Sequence, residues 1–357
     1  MKSKRALTAA FLIFGLITIT TPRAEASNNR DREIVVMTMN MHPGTDFGEI
    51  FAAQTLPELM SEVAEAFGDV QTSNVQERIN AMADRIAESR PALVGLQEAA
   101  LWRTGAIGDP APASTVAFDY LQMLLDALST RGQNYSAVAV QSNFDAELPG
   151  MSATFASDVR FTDRVATLAR ADMQVSQLKI EGAQTAVFNT VLTVSTASLG
   201  NITIPRGWTS VDLKLRGKQY RFINAHLESF HPLVQYLQGG ELLSGPAAID
   251  KAVILSGDFN SDAESGGATY NLLISGGFAD VWEVIRTNDP GATWPLFIES
   301  PAIFTTPIER LDLVLIRGRI SAASIDVVGE DPISDTTPSN LRMSDHGAVT
   351  AGLVLEP

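Results

Sequence analysis

The chain has 357 residues, with 26 Lys and Arg against 41 Asp and Glu for a formal charge of -15, and 45% of it is hydrophobic against 19% charged. That composition belongs to a folded globular protein and excludes both a mini-protein and an extended disordered chain. Cysteine is absent, which excludes disulfide frameworks, thiolate zinc sites, iron–sulfur clusters and cysteine nucleophiles, so any catalysis must use oxygen and nitrogen groups.

Lys2, Lys4 and Arg5 precede the uncharged stretch Ala6 to Thr20, and Ala24-Glu25-Ala26 offers small residues at the positions a signal peptidase reads. The run is shorter than the roughly 20 residues of a spanning helix. Residues 1–26 therefore read as a secretory signal cleaved after Ala26, which makes the expected protein exported, periplasmic or extracellular, with no transmembrane segment in its mature chain. Cleavage would remove Lys2, Lys4, Arg5 and Arg23 with only Glu25, leaving the protein more acidic. No repeat, low-complexity tract or Pro-rich linker divides residues 27–357, so one domain, acting as a monomer, is expected. The acidic balance and the lack of a basic run disfavour nucleic acid as a partner without excluding it.

Ile34 to Asn40 is a β-type run, and Ala92–Gln97, Tyr135–Val140, Val211–Leu215, Tyr220–Ala225, Ala252–Ser256 and Leu311–Ile316 repeat that character. Between them, Val75, Ile79, Met82 and Ile86 fall on one helical face, with Ser73 and Asn74 as candidate caps, Glu77 three residues after Asn74, and Pro91 as the stop. A second helix is predicted over Thr115–Arg131, with Phe118, Leu121, Leu125 and Leu128 on its apolar face. Arg216-Gly217-Lys218-Gln219 reads as a hairpin turn. Residues 43–72, 142–160 and 176–206 read as loop-like insertions. The pattern is a mixed α/β domain with more than one sheet.

Chemistry is concentrated where apolar runs stop at polar groups. The run to Asn40 delivers an amide, Leu93–Glu98 a carboxylate, Phe222–His226 an imidazole, and Val253–Asn260 a carboxylate at 258 with an amide at 260, which on an extended strand share one face. Arg310-Leu311-Asp312 opens another run, and Ser344-Asp345-His346-Gly347 precedes the last apolar segment. Each motif alone also fits a cap, a turn or a surface loop; the ordered set is what points to a site.

Together, Gln97-Glu98, Asn224-Ala225-His226-Leu227, Gly257-Asp258-Phe259-Asn260, Arg310-Leu311-Asp312 and Ser344-Asp345-His346 resemble the endonuclease/exonuclease/phosphatase superfamily over about residues 33–355. These are metal-dependent phosphoesterases related to pancreatic-type deoxyribonuclease, apurinic-site endonucleases, sphingomyelinases and inositol polyphosphate phosphatases. Ala225 departs from the usual threonine. The resemblance implies a four-layer α/β sandwich, two mixed β-sheets packed face to face with helices outside. It also implies hydrolysis of a phosphodiester or phosphomonoester by in-line attack of an activated water.

The implied metal ligands are Glu98, Asn40 and Asp345, hard oxygen donors suited to Mg²⁺, with Mn²⁺ or Ca²⁺ as substitutes. Asp258 would orient and deprotonate the water, Asn260 would hold the phosphate by its amide, and His226 and His346 would donate to phosphoryl oxygens. Asp312 would fix the tautomer of His346. Arg164 and Arg170 lie where relatives place a phosphate-facing group or a strand-ending arginine. His42, before Pro43-Gly44, reads as a loop residue, His231 as structural or exposed, Trp282 as core and Trp294 as a possible cleft residue. The expected substrate is a lipid headgroup or small phosphorylated molecule. A secreted nuclease acting on DNA or RNA is the alternative, and a catalytically silent binding module on the same fold is another. A serine hydrolase is disfavoured because Gly-x-Ser-x-Gly is absent.

Overall fold

The structure is a computed structural model that describes residues 33–215, 217–298 and 306–356. The expected signal segment at residues 1–26 and Arg216 of the expected hairpin turn lie outside the described residues.

β1 (Glu33–Asn40) leads through α1 (Gly48–Ala52), α2 (Leu56–Thr72) and α3 (Val75–Ser89) into β2 (Leu93–Gln97). This helical crossover lets β1 and β2 pair in parallel, with Asn40 opposite Gln97. Next come β3 (Leu101–Gly105), β4 (Thr115–Asp119), α4 (Tyr120–Thr130) and a long hairpin of β5 (Tyr135–Met151) and β6 (Ala156–Arg170). Joined by β15 (Ile320–Val328) and β16 (Ala348–Leu355), they form one sheet in the order β15-β16-β1-β2-β6-β3-β4, with β5 on β6.

The middle of the chain builds the second sheet from β7 (Leu178–Val187), β10 (Gly207–Leu215), β11 (Lys218–His226), β12 (Ala252–Asp258), β13 (Ala279–Asp280) and β14 (Asp312–Arg317). Its order is β13-β14-β12-β11-β10-β7. Among the described residues β8 (Leu192–Thr196) and β9 (Gly200–Ile204) pair only with each other, and α5 (Pro232–Ser244), α6 (Ala268–Ser275) and α7 (Val281–Ile285) complete the described elements. The β10–β11 hairpin closes with Leu215 opposite Lys218, at the turn expected from the sequence.

Three apolar layers hold these parts together. Met37, Met39, Ile79, Met82 and Leu124 pack between the first sheet and its helices, while Val36, Phe222, Ile254 and Leu353 pack between the sheets. Leu227, Leu242, Leu255 and Leu273 pack between the second sheet and α5–α6. The architecture is the expected four-layer sandwich with helices outside.

Strand alternation explains where the chemistry emerges. On β1, Ile34 and Val36 face the other sheet while Met37 and Met39 face the helices, so Thr38 and Asn40 continue the inter-sheet stripe. β11 carries Tyr220, Phe222, Asn224 and His226 on the same side, β12 carries Ile254, Ser256 and Asp258, and β14, running the other way, carries Asp312, Val314 and Ile316. Every stripe turns from apolar to polar at one edge. There His226 pairs with Asp258 and Asp258 with Asp312.

Three sequence expectations change here. Thr115–Asp119 is β4, paired with β3, and the helix starts at Tyr120 with the Asp119 side chain accepting from Gln122 N at 3.2 Å. Asn74 sits at the N-cap of α3 with φ 50° and no capping bond; its amide and Glu77 bind Ser339 instead. The stretches expected as loop-like insertions are largely regular: α1 and α2, the β5–β6 hairpin, and β7 to β9. Their strands are largely solvent-facing and carry little apolar alternation, the signal by which buried strands are read.

Candidate active site

The polar ends of the stripes open into a cavity of about 460 Å³ lined by Asn40, Glu98, His226, Asp258, Asn260, Asp345 and His346, among others. Asp258 is at its centre and almost fully buried. Its Oδ2 accepts from Asn40 Nδ2 at 3.0 Å and its Oδ1 from the Asn260 backbone N–H at 2.9 Å. His226 Nε2 and His346 Nε2 stand 3.6 and 3.8 Å from Oδ2. Asp312 lies behind this wall and accepts from His346 Nδ1 at 2.8 Å.

The loops that bring these groups together are stapled by two buried residues. Arg78, from α3, donates to the carbonyls of Met41 at 2.6 Å, His42 at 2.9 Å and Met343 at 3.0 Å, joining the segment after β1 to the segment before β16. Ser344 Oγ adds a 2.7 Å bond to the Asn40 carbonyl. Asn224 pins the two sheets by donating to the carbonyls of Leu96 and Ala166, each at 3.0 Å, and accepting from Gln97. Gly95 makes that approach possible, since a Cβ there would lie 2.5 Å from Asn224 Oδ1. His42, Glu98 and Asn260, each just past a strand end, adopt left-handed backbone with φ of 53°, 52° and 50°. Such conformations cost side-chain-bearing residues energy and cluster at functional sites.

Electrostatics divides the cavity into two halves. Burial works against a charge on His346, but Asp312, Asp258 and Asp345 outweigh it and hold the pKa well above 6.5, so the ring is a cation. Burial, Arg206 and His346 push His226 well below 6.5, so that ring is neutral. Burial raises Asp258 to about 6, His346 opposing and Asp312 adding to the rise. On the other side, burial, Asp345 and Asp163 drive Glu98 up to about 8.

Glu98 supplies the test for a metal. Its carboxylate lines the cavity, accepts no hydrogen bond from any described residue, and faces the charges of Asp345 and Asp163, which Arg206 and His346 offset only in part. A partly buried acid among acids calls for a cation. Glu98, Asp345 and the Asn40 amide oxygen are hard donors that fit a divalent ion. Asp258, Asp312 and His346 also bring one possible ligand atom each within 4.8 Å. That trio already contains a positive charge, however, because a protonated imidazole has hydrogens on both nitrogens and no lone pair to give. The Glu98 side fits the ion better.

Several expected roles do not survive the geometry. Arg164 is buried, donating to the Ala99 and Ala100 carbonyls and to Asp119, and Arg170 bonds Asp172 and the Arg90 carbonyl near the end of β6. Neither lines the cavity. Asn260 does not share a strand face with Asp258, because β12 ends at Asp258 and the chain turns back. Its Nδ2 is committed to the Leu227 carbonyl at 3.0 Å. His42 is more than a loop residue: its Nδ1 lies 3.5 Å from Asp345 Oδ1 in the cavity wall. Ala225 belongs to the apolar layer under α5 and α6, so the departure from threonine falls outside the cavity. Trp282 is core, Trp294 lines the cavity and His231 is exposed.

Arg206 was missed by sequence reasoning. It precedes β10 at the cavity wall, and its Nη1 lies 3.2 Å from His226 Nδ1. Isolated between Pro205 and Gly207, it carries no motif that could have marked it.

The sequence matches the model of the Endonuclease/Exonuclease/phosphatase family over residues 71–346. The chain belongs to this family. It is accordingly a metal-dependent phosphoesterase of that superfamily. Asn40 lies outside the matched span, and strand pairing brings it to the site. No curated protein matches the sequence.

Solved structures share the fold at low identity. An endonuclease/exonuclease/phosphatase family protein from Leptotrichia buccalis superposes with a TM-score of 0.53 at 17% identity, covering 89% of this chain and 98% of its own. A mannosyl-6-phosphatase from Bacteroides thetaiotaomicron gives 0.54 at 16%, covering 90% and 100%. D. rerio TDP2, humanized by 14 mutations, gives 0.53 at 16%, covering 90% and 99%.

Proposed function

We propose that this enzyme hydrolyses a phosphoester of a small molecule or lipid headgroup by direct attack of water, with Mg²⁺ held by Glu98, Asn40 and Asp345. Mn²⁺ and Ca²⁺ offer the same hard-oxygen chemistry. When bound, the cation would polarise a phosphoryl oxygen and offset the negative charge that develops on it. The observation that carries the reading is Asp258, held at both oxygens, facing the Nε2 atoms of one neutral and one cationic imidazole.

Asp258 has a pKa raised to about 6, close to that of an effective general base near neutral pH. It orients water, takes its proton as the oxygen bonds to phosphorus, and the ester P–O bond opposite breaks. The nitrogens of His226 and His346 stop beyond hydrogen-bond reach of Asp258, so their N–H groups can turn to phosphoryl oxygens between them. His346 brings a full charge and His226 a neutral donor. Asp312 holds His346 in place without touching substrate.

Charge supports a compact substrate. Among the described residues lining the cavity, Arg206 is the only Lys or Arg, against Asp46, Glu98, Asp163, Asp258, Glu309 and Asp345. A polynucleotide gains affinity from many cations along its phosphates, and this wall offers Arg206 and the charged His346 alone among its described residues. The sequence reading of an exported enzyme joins the proposal.

The test is a panel with Mg²⁺: bis(4-nitrophenyl) phosphate, 4-nitrophenyl phosphate, sphingomyelin, inositol phosphates, plasmid DNA and RNA. Turnover of the small or lipid esters that stops on chelation and in Glu98→Ala and Asp258→Ala is the expected result. Turnover insensitive to chelator, or confined to DNA and RNA, overturns it.

A further inference from the structure

A second cavity, of about 380 Å³, lies beside the first, and Phe47, Phe51, Phe144 and Phe161 line both. Trp102 adds a fifth ring, its Nε1 already bonded to the Pro43 carbonyl at 3.0 Å, and the rest of the apolar wall is aliphatic, chiefly Ile50, Val63, Leu148, Leu199 and Ile202. It is assembled mainly from α1, α2, the β5–β6 hairpin and β9, the stretches the sequence presented as insertions, with Trp102 added from β3, whereas the catalytic groups sit on the strands of the sandwich and the turns at their ends. Its polar members keep to the outside: Asn201 and Thr203 are exposed, and Asp145 is bonded to Arg160 at 2.7 and 2.8 Å.

We infer that this cavity is a subsite for a saturated alkyl chain, and that the enzyme's substrates are amphiphilic phosphoesters whose chain crosses the phenylalanine wall while the phosphorus lies at Asp258. The inference rests on the phosphoesterase reading and narrows its substrate class. The chemistry of the wall selects the occupant. A nucleobase or sugar buried there would lose water from its polar edges and find no inward-facing partner, which is costly. An alkyl chain has no polar group to satisfy and gains from each methylene buried. The shared rings make the two cavities neighbours, so one molecule can span them.

The test uses 4-nitrophenyl alkyl phosphates of one, four and eight carbons, with Mg²⁺ and below micelle-forming concentrations. At about 0.8 kcal/mol per buried CH₂, kcat/KM rises roughly fourfold per methylene until the cavity is full. Ala146→Trp, which fills the cavity from β5, and Ile202→Asp, which polarises it from β9, should each flatten that slope while leaving the methyl ester and the melting temperature near wild type. A flat series in an active wild-type enzyme overturns the inference and leaves the phosphoesterase reading standing. So does faster cleavage of the thymidine 4-nitrophenyl ester than of the octyl ester. If no ester turns over, binding of methyl-, butyl- and octylphosphonate by calorimetry decides the subsite alone. A chain-length slope lost in both variants upholds it while the phosphoesterase reading falls, and no slope overturns it.

Discussion

Arg206 Nη1 stands 3.2 Å from His226 Nδ1, and because a guanidinium can only donate, that ring nitrogen must be the acceptor and Nε2 must carry the hydrogen. One arginine outside every motif thus decides which way the imidazole presents its N–H to the cavity.

The buried neutral ring also makes stability depend on pH. Native His226 has its pKa well below 6.5, while the unfolded chain binds a proton at about 6.5. Below that value the unfolded state holds more protons, so stability is full above about pH 6.5 and is lost as pH falls toward the native value. The limiting slope is about 1.4 kcal/mol per pH unit. Urea unfolding of wild type and His226→Gln between pH 5 and 8 should differ by one proton's slope below pH 6.5; parallel curves would contradict it.

Glu98 predicts a metal signature independent of catalysis. Mg²⁺ should raise the melting temperature of the wild type with concentration, as any ligand of the folded state does. Glu98→Gln should melt higher than wild type in metal-free buffer at pH 7, because burying Glu98 there, with its pKa pushed up to about 8, requires it to take up a proton that the unfolded chain does not hold, and the variant should lose most of the Mg²⁺ response. Scanning calorimetry with and without chelator checks both.

Asp312 does not line the cavity and acts through His346. Asp312→Asn keeps the shape but loses the carboxylate that holds the ring charged, so kcat should fall about 10- to 100-fold, by analogy with outer-shell partners of catalytic and metal-bound histidines. KM should change little. Steady-state kinetics, with imidazole nitrogen shifts by NMR showing a neutral His346, would confirm the route.

Arg310 is almost fully buried and bonds Asp280, Glu264 at 2.8 Å and Glu283 at 2.7 Å, tying the start of β14 to the loop after β12 and to α7. Arg310→Met strands acids that it neutralises, a loss of about 3–5 kcal/mol. Chemical denaturation measures it. A change below 1 kcal/mol would show the cluster relaxing into solvent.

Strand interiors were readable because each combined a β-type run with a polar terminus: Ile34–Asn40 and Phe222–His226 announced both the element and the group it delivers. The site's positioning residues were not, because their partners are backbone carbonyls and distant side chains. Nothing local to Arg78 in α3 shows that Met41 and Met343 will end beside it. Arg164 misled for the same reason: an arginine near a motif has the same spelling whether it faces phosphate or Asp119. Thr115–Asp119 failed on period, since Phe118, Leu121 and Leu125 continue a helical spacing through a strand whose identity comes from pairing with β3.

His42, Glu98 and Asn260 each keep a side chain where the backbone would be more comfortable with glycine. A selection for heat resistance alone would be drawn to those three positions, and what it rewarded there would be an enzyme that outlasts its parent and can no longer do its work.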